Sequence, residues 1–219
     1  MRYPPATWRP TGKHGYGNDD TLRKEGIVGH SMEGSLAAAF GKLDRPDRQA
    51  SWHFSVAKSG DVYQHIDTDN ISYASGSYEA NKRFWSIEHE GVAGEPLTAA
   101  QQTATTALMG WLLGLVNLPP IRNLSLFEHR EMTVYGAAPT ACPSGRIPWQ
   151  AIIAALQEKP ERAEVEMILL KADDSPNYYV LGPTGKHLIK NVAELYVWER
   201  ELGAPKIYHQ AELDAVPDA

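Results

Sequence analysis

The chain has 219 residues, a formal net charge of −6, 42% hydrophobic and 22% charged side chains, and no low-complexity tract. That balance excludes a disordered or fibrous protein and fits one fair-sized core with room for a second small module. The acidic surplus argues against a nucleic-acid partner, whose binding calls for clustered Lys and Arg that displace counterions.

The opening Met1-Arg2-Tyr3-Pro4-Pro5 has no apolar stretch that would act as a signal peptide. Residues 1–25, rich in Pro, Gly and charge, read as an irregular arm. The core is expected to start at the apolar run Gly26-Ile27-Val28-Gly29-His30. Trp52, Phe54 and Val56 alternate with His53 and Ser55, and Lys58-Ser59-Gly60-Asp61 reads as a turn before Val62-Tyr63-Gln64-His65-Ile66, so a hairpin is predicted. A further strand over 83–91 places Trp85, Ile87 and His89 on one face and Ser86, Glu88 and Glu90 on the other.

Thr98 followed by Gln101 forms a capping-box pattern, and Ala104, Ala107, Leu108, Trp111, Leu112 and Leu115 recur at helical spacing. The longest apolar run, Ala107 to Val116, is well short of the ~20 residues of a bilayer span, so no membrane partner is expected. A shorter helix is predicted after Pro148, through Trp149, Ile152, Ile153 and Leu156. The charged, proline-containing stretch 158–162 marks a boundary between a domain over 1–158 and a small α+β module over 164–219. In that module Met167-Ile168-Leu169-Leu170 and Tyr178-Tyr179-Val180-Leu181 read as strands, and a helix is predicted from an Asn191 cap to Gly203. Its aromatics, Tyr178, Tyr179, Tyr196, Trp198 and Tyr208, suit either its own core or stacking on wall sugars.

Cys142 is the only cysteine, which excludes an intrachain disulfide and leaves a thiol for other chemistry. Zinc prefers imidazole and thiolate donors, and catalytic sites use three of them with one position open. The candidates are His30, at the end of a predicted strand, and His129 and Cys142, in a loop region ahead of the last core helix. The competing readings are a hydrogen-bonded structural histidine and a buried, inert cysteine.

Five ordered segments change that balance: Gly26-Ile27-Val28-Gly29-His30; Ser51-Trp52-His53-Phe54 with Lys58-Ser59-Gly60-Asp61-Val62; Ser86-Ile87-Glu88-His89-Glu90-Gly91; His129-Arg130-Glu131; and Thr140-Ala141-Cys142-Pro143-Ser144-Gly145. Together, over roughly residues 20 to 157, they resemble the type-2 N-acetylmuramoyl-L-alanine amidases, a family that includes phage endolysins and peptidoglycan recognition proteins. The proline-rich entry and the stretch from Ser86 to Leu97 look most like actinobacterial and actinophage members. The resemblance implies an α/β fold with a mixed central β-sheet flanked by helices, Zn2+ held by His30, His129 and Cys142, and peptidoglycan as partner. It also implies that Glu88 acts as general base and that Thr140 holds the oxyanion or orients the water, while Glu90 is read as structural.

The chain departs from the family at Trp52, where tyrosine is common, and at Thr140, where lysine is common. It departs again at Glu128, in place of glycine, and at Tyr73-Ala74-Ser75-Gly76, in place of Trp-His-Ala-Gly. The expected reaction is hydrolysis of the amide joining the lactyl group of N-acetylmuramic acid to L-alanine. The absence of a signal peptide suggests a phage enzyme made in the host cytoplasm and released by a holin. Two alternatives stand beside it: a non-catalytic peptidoglycan-binding module of the same fold, and a cysteine peptidase with Cys142 as nucleophile and His129 as base.

Overall fold

The computed structural model describes residues 1–15, 24–158, 168–182, 185–191, 204–208 and 210–216, with 195, 199 and 218 singly. The chain divides into two compact units, Met1–Glu158 and Lys159–Ala219.

The first unit is built on a six-stranded sheet. Its strands are β1 (Thr7–Trp8), β2 (Gly26–Ser31), β3 (Phe54–Val56), β4 (Val62–Gln64), β5 (Phe84–His89) and β6 (Leu126–Glu128), in the order β1-β4-β3-β5-β2-β6. Only the β3/β4 hairpin is antiparallel, with Ser55 opposite Tyr63. The other pairs are parallel, which makes the sheet mixed. β2 lies between β5 and β6 and is buried along its whole length, as the small and apolar run Gly-Ile-Val-Gly ahead of His30 requires of a parallel strand covered on both faces.

Strand alternation sorts the side chains. Ile27, Phe54, Val56, Trp85, Ile87 and Leu126 face one way and pack on α3 (Ala99–Val116) and α4 (Trp149–Gln157) through Leu108, Met109, Leu112 and Ile152. Helix α3 starts in the anticipated capping box: Thr98 Oγ1 accepts the Gln101 N–H and the Gln101 side chain accepts the Thr98 N–H. It stops at Asn117, whose left-handed backbone (φ 53°) returns its N–H to the last turn. Gly29 lets Ile147 lie flat on β2, since a Cβ there would sit 2.3 Å from Ile147 Cδ1.

The opposite face carries Val28, Phe84 and Phe127, which form a smaller cluster with Ala80, Met132 and Ala137. It is covered by α1 (Leu36–Asp44), α2 (Tyr78–Arg83) and a 3₁₀ helix over His129–Tyr135. Ser35 and Ser77 cap α1 and α2, their side chains accepting the Ala38 and Ala80 N–H groups.

The amino-terminal arm is not wholly irregular as expected. Tyr3 enters the main core, its N–H held by Gln64 Oε1 at 2.8 Å, and Thr7–Trp8 adds an edge strand beside β4. These residues carry apolar surface that the sheet edge can bury, which a composition-based reading of a proline-rich segment overlooks.

The second unit holds a four-stranded sheet in the order β10-β7-β8-β9, from β7 (Ile168–Ala172), β8 (Tyr178–Gly182), β9 (Gly185–Leu188) and β10 (Lys206–Tyr208). Helix α5 (Gln210–Asp214) supplies Leu213 to a core with Leu170, Ala172 and Tyr179. Tyr179 is thus a core residue, whereas the Lys171 ammonium lies over the Tyr178 ring and Tyr208 is exposed. Most of the helix expected after Asn191, with Tyr196 and Trp198, lies outside the described residues. Among the described residues no helix is long and apolar enough to cross a membrane.

Candidate metal centre

Three elements meet on the sheet's second face. His30 is the fifth residue of β2, on the same side as Val28. His129 follows β6 directly, in the first turn of the 3₁₀ helix rather than in a loop. That turn is fastened by Glu131, whose Oε2 accepts the Glu128 N–H at 2.7 Å. Cys142 arrives from the following loop, which is tied back to the 3₁₀ helix because its carbonyl accepts the Arg130 N–H at 2.9 Å.

The ligand atoms of His30, His129 and Cys142 all lie within 4.8 Å of one another. The two imidazoles are 4.6 Å apart at their centroids. His30 Nε2 is buried with no hydrogen-bond partner, an uncommon condition for a ring nitrogen unless something else binds there. Burial, then the neighbouring His129 and His89, hold the His30 imidazole well below its usual range, and burial lowers that of His129. Both rings are therefore neutral and able to donate lone pairs. Burial pushes the Cys142 thiol up to about 12, against the Ser31 N–H, which points at Sγ from 3.3 Å. Two neutral imidazoles and a thiol that only a cation would deprotonate form a donor set that fits zinc.

The second layer is equally specific. A backbone carbonyl only accepts, so His89 Nδ1 must donate to His30 O (2.9 Å), leaving Nε2 to accept from Thr105 Oγ1 (3.0 Å). The buried guanidinium of Arg146 donates to Glu95 O, Ser31 Oγ, His89 O and Glu90 O at 2.7–3.1 Å, pinning the ends of β2 and β5 beside the cysteine loop. Neither residue stood out in the sequence, since four carbonyl and hydroxyl groups converge on Arg146 only after the chain folds.

A cavity of about 290 Å3 opens over the trio, lined also by Ser31, Met32, Glu33, Ala39, Lys42, Ala50, Trp52, Tyr73, Ala74 and Glu88. The parallel register sets His30 beside Glu88 of β5, and Glu88 faces the cavity with Oε2 closed off from water and unpartnered. Burial, with the Glu33 charge, raises the Glu88 carboxyl to about 7, while Lys42 and Arg146 pull the other way. Glu90, as read from sequence, is structural: its two oxygens accept the Leu36 and Lys58 N–H groups.

Thr140 is not among the residues lining the cavity. Its Oγ1 accepts the Cys142 N–H at 3.2 Å, so it shapes the ligand loop. Trp52 does line the cavity, but its Nε1–H points away, to Ser55 Oγ at 2.8 Å. Ser55 Oγ donates to His65 Nε2 (2.9 Å), whose Nδ1 donates to Arg9 O (2.7 Å). The indole thus presents an apolar face where a phenol would present a hydroxyl.

A family model described as N-acetylmuramoyl-L-alanine amidase matches residues 20–145, more than half of the chain. No curated protein sequence matches. Among solved structures, the chain is similar to a selenomethionine derivative of AmpD (TM-score 0.57, 19% identity, covering 71% of this chain and 96% of that one). It is also similar to the hydrolase AmiA of Staphylococcus aureus in complex with its ligand (0.52, 21%, 64% and 73%). A mutant endolysin from Bacillus subtilis shares the fold as well (0.52, 18%, 69% and 97%). The ordered motifs, the mixed sheet flanked by helices and the match over residues 20–145 lead to one conclusion: the chain belongs to the N-acetylmuramoyl-L-alanine amidase family.

Proposed function

We propose that this protein is a zinc-dependent amidase that hydrolyses the bond between the lactyl group of N-acetylmuramic acid and L-alanine in peptidoglycan, acting as a phage endolysin. The observation that carries the reading is the pairing, in one cavity, of the His30, His129 and Cys142 donor set with the unpartnered carboxyl of Glu88. Held by those three side chains, zinc supplies a Lewis acid for the amide carbonyl and acidity for water near neutral pH.

The chain's own groups account for the proton traffic. Glu88 Oε2 takes the proton of the attacking water and returns it to the alanine nitrogen, whose departure as an anion is prohibitive. In the metal-free protein burial holds this carboxyl above its ordinary range, which favours it as a proton acceptor over a solvated carboxylate. The Ser31 N–H points at the Cys142 sulfur, Arg146 fixes Ser31 by donating to its Oγ, His89 orients His30 by donating to the His30 carbonyl, and Thr140 positions Cys142.

The cysteine-peptidase alternative needs a thiolate stabilised by an imidazolium. Burial instead raises the thiol to about 12 and lowers both neighbouring imidazoles. A purely binding module has no use for Glu88 beside the donor set.

Purified peptidoglycan incubated with the zinc-loaded protein is expected to release stem peptides with a free amino-terminal alanine, detected by mass spectrometry and abolished by a chelator. Glu88→Ala should lower the rate by roughly two to four orders of magnitude with bound zinc unchanged. Bound zinc without released peptide would assign the protein to the binding modules.

A further inference from the structure

Lys42 lies in the last turn of α1 and is the only Lys or Arg that lines the 290 Å3 cavity. Its neighbours at that helix end have counter-ions, Asp44 with Arg9 and Arg45 with Asp47. Lys42 has none among the described residues, and its Nζ makes a single long contact, to Met32 O at 3.4 Å. The Glu33 and Glu88 carboxyls of the same lining act on it only from beyond ion-pair distance, so the ammonium is left open to direct pairing with an anion of the ligand.

If the amidase reading above holds, the chemistry of the substrate says which anion. N-acetylated sugars carry no charge, and the lactyl carboxyl is consumed in the scissile amide, so the only anions offered are carboxylates of the peptide. We propose that Lys42 binds a stem-peptide carboxylate, that the peptide half of the substrate therefore runs along α1, and that the cavity selects acidic over amidated stems. Glu33, whose carboxylate accepts the Ala93 N–H at 3.0 Å, places a like charge in the same lining and disfavours the peptide carboxylate on its own side of Lys42.

The test uses a ligand without the muramoyl amide: L-alanine joined through its carboxyl to the amino group of D-glutamate, with the γ-carboxyl blocked as an amide and the α-carboxyl free or as its carboxamide. Binding to the zinc-loaded full chain is followed by fluorescence, since the Trp52 indole lines the same cavity. The wild type is expected to bind the acid about tenfold more tightly than the amide. Lys42→Met should bring both to the affinity of the amide, and Lys42→Arg should keep most of the preference. Equal binding of acid and amide by the wild type, or an undiminished preference in Lys42→Met, overturns the proposal. Failure of the amidase reading is seen separately, as no alanine-terminated peptide released from peptidoglycan.

Discussion

Glu88 links stability to function in a way that can be measured without turnover. In the metal-free protein its carboxyl is held at about 7, against an ordinary value of 4.5. The folded state therefore keeps a proton that the unfolded chain releases, and the stability contributed by neutral Glu88 is present below about pH 4.5 and lost as pH rises through 7. That interval, at about 1.4 kcal/mol per pH unit, amounts to about 3 kcal/mol. Glu88→Gln keeps the shape and never ionises. The substitution should be near neutral at pH 4.5 and stabilise the chelator-treated protein by about 3 kcal/mol at pH 8.5. The assay is urea unfolding across that range, followed by tryptophan fluorescence, since Trp8, Trp52, Trp85, Trp111 and Trp149 all lie in the first unit. Curves for the two proteins that stay parallel at every pH would refute the claim that burial holds this carboxyl protonated.

Two further outcomes follow from the packing. Gly26→Ala sets a Cβ 2.2 Å from Ser125 O, a carbonyl fixed by the Ile27 N–H, and should cost at least about 2 kcal/mol by thermal unfolding, whereas Gly12→Ala meets nothing within 4 Å and should stay within about 0.5 kcal/mol. His65 is kept neutral by burial, at about 4, so its contribution is present above about pH 6.5 and lost as pH falls through 4. His65→Gln should flatten the decline in stability between pH 7 and 4 by up to about 3 kcal/mol, read from urea midpoints.

Much of this architecture was legible before any coordinates, because the signals were local. The alternation of Trp85, Ile87 and His89 against Ser86 and Glu88, and the Thr98–Gln101 capping box, each declare an element within a few residues. Helix α1 carries no such local signal beyond its Ser35 cap, since Leu36-Ala37-Ala38-Ala39-Phe40-Gly41 offers little contrast between faces. The metal-ligand trio was visible only through ordered family motifs: the separation of His30 from Cys142 in sequence says nothing of the 3.3 Å between the Ser31 N–H and Sγ. Arg146 and Lys42 were silent for the same reason, one defined by two stretches of carbonyls and a hydroxyl that folding gathers and the other by the lack of an ion pair within a cavity.

The chain of hydrogen bonds from Arg9 O through His65 and Ser55 to Trp52 separates ancestry from mechanics. Kinship with the family begins at residue 20, yet the indole that walls the cavity leans, through three links, on a carbonyl eleven positions upstream of that border. A protein trimmed to its inherited segment would keep every donor atom and the carboxyl. It would lose the brace that decides which face of Trp52 a substrate meets.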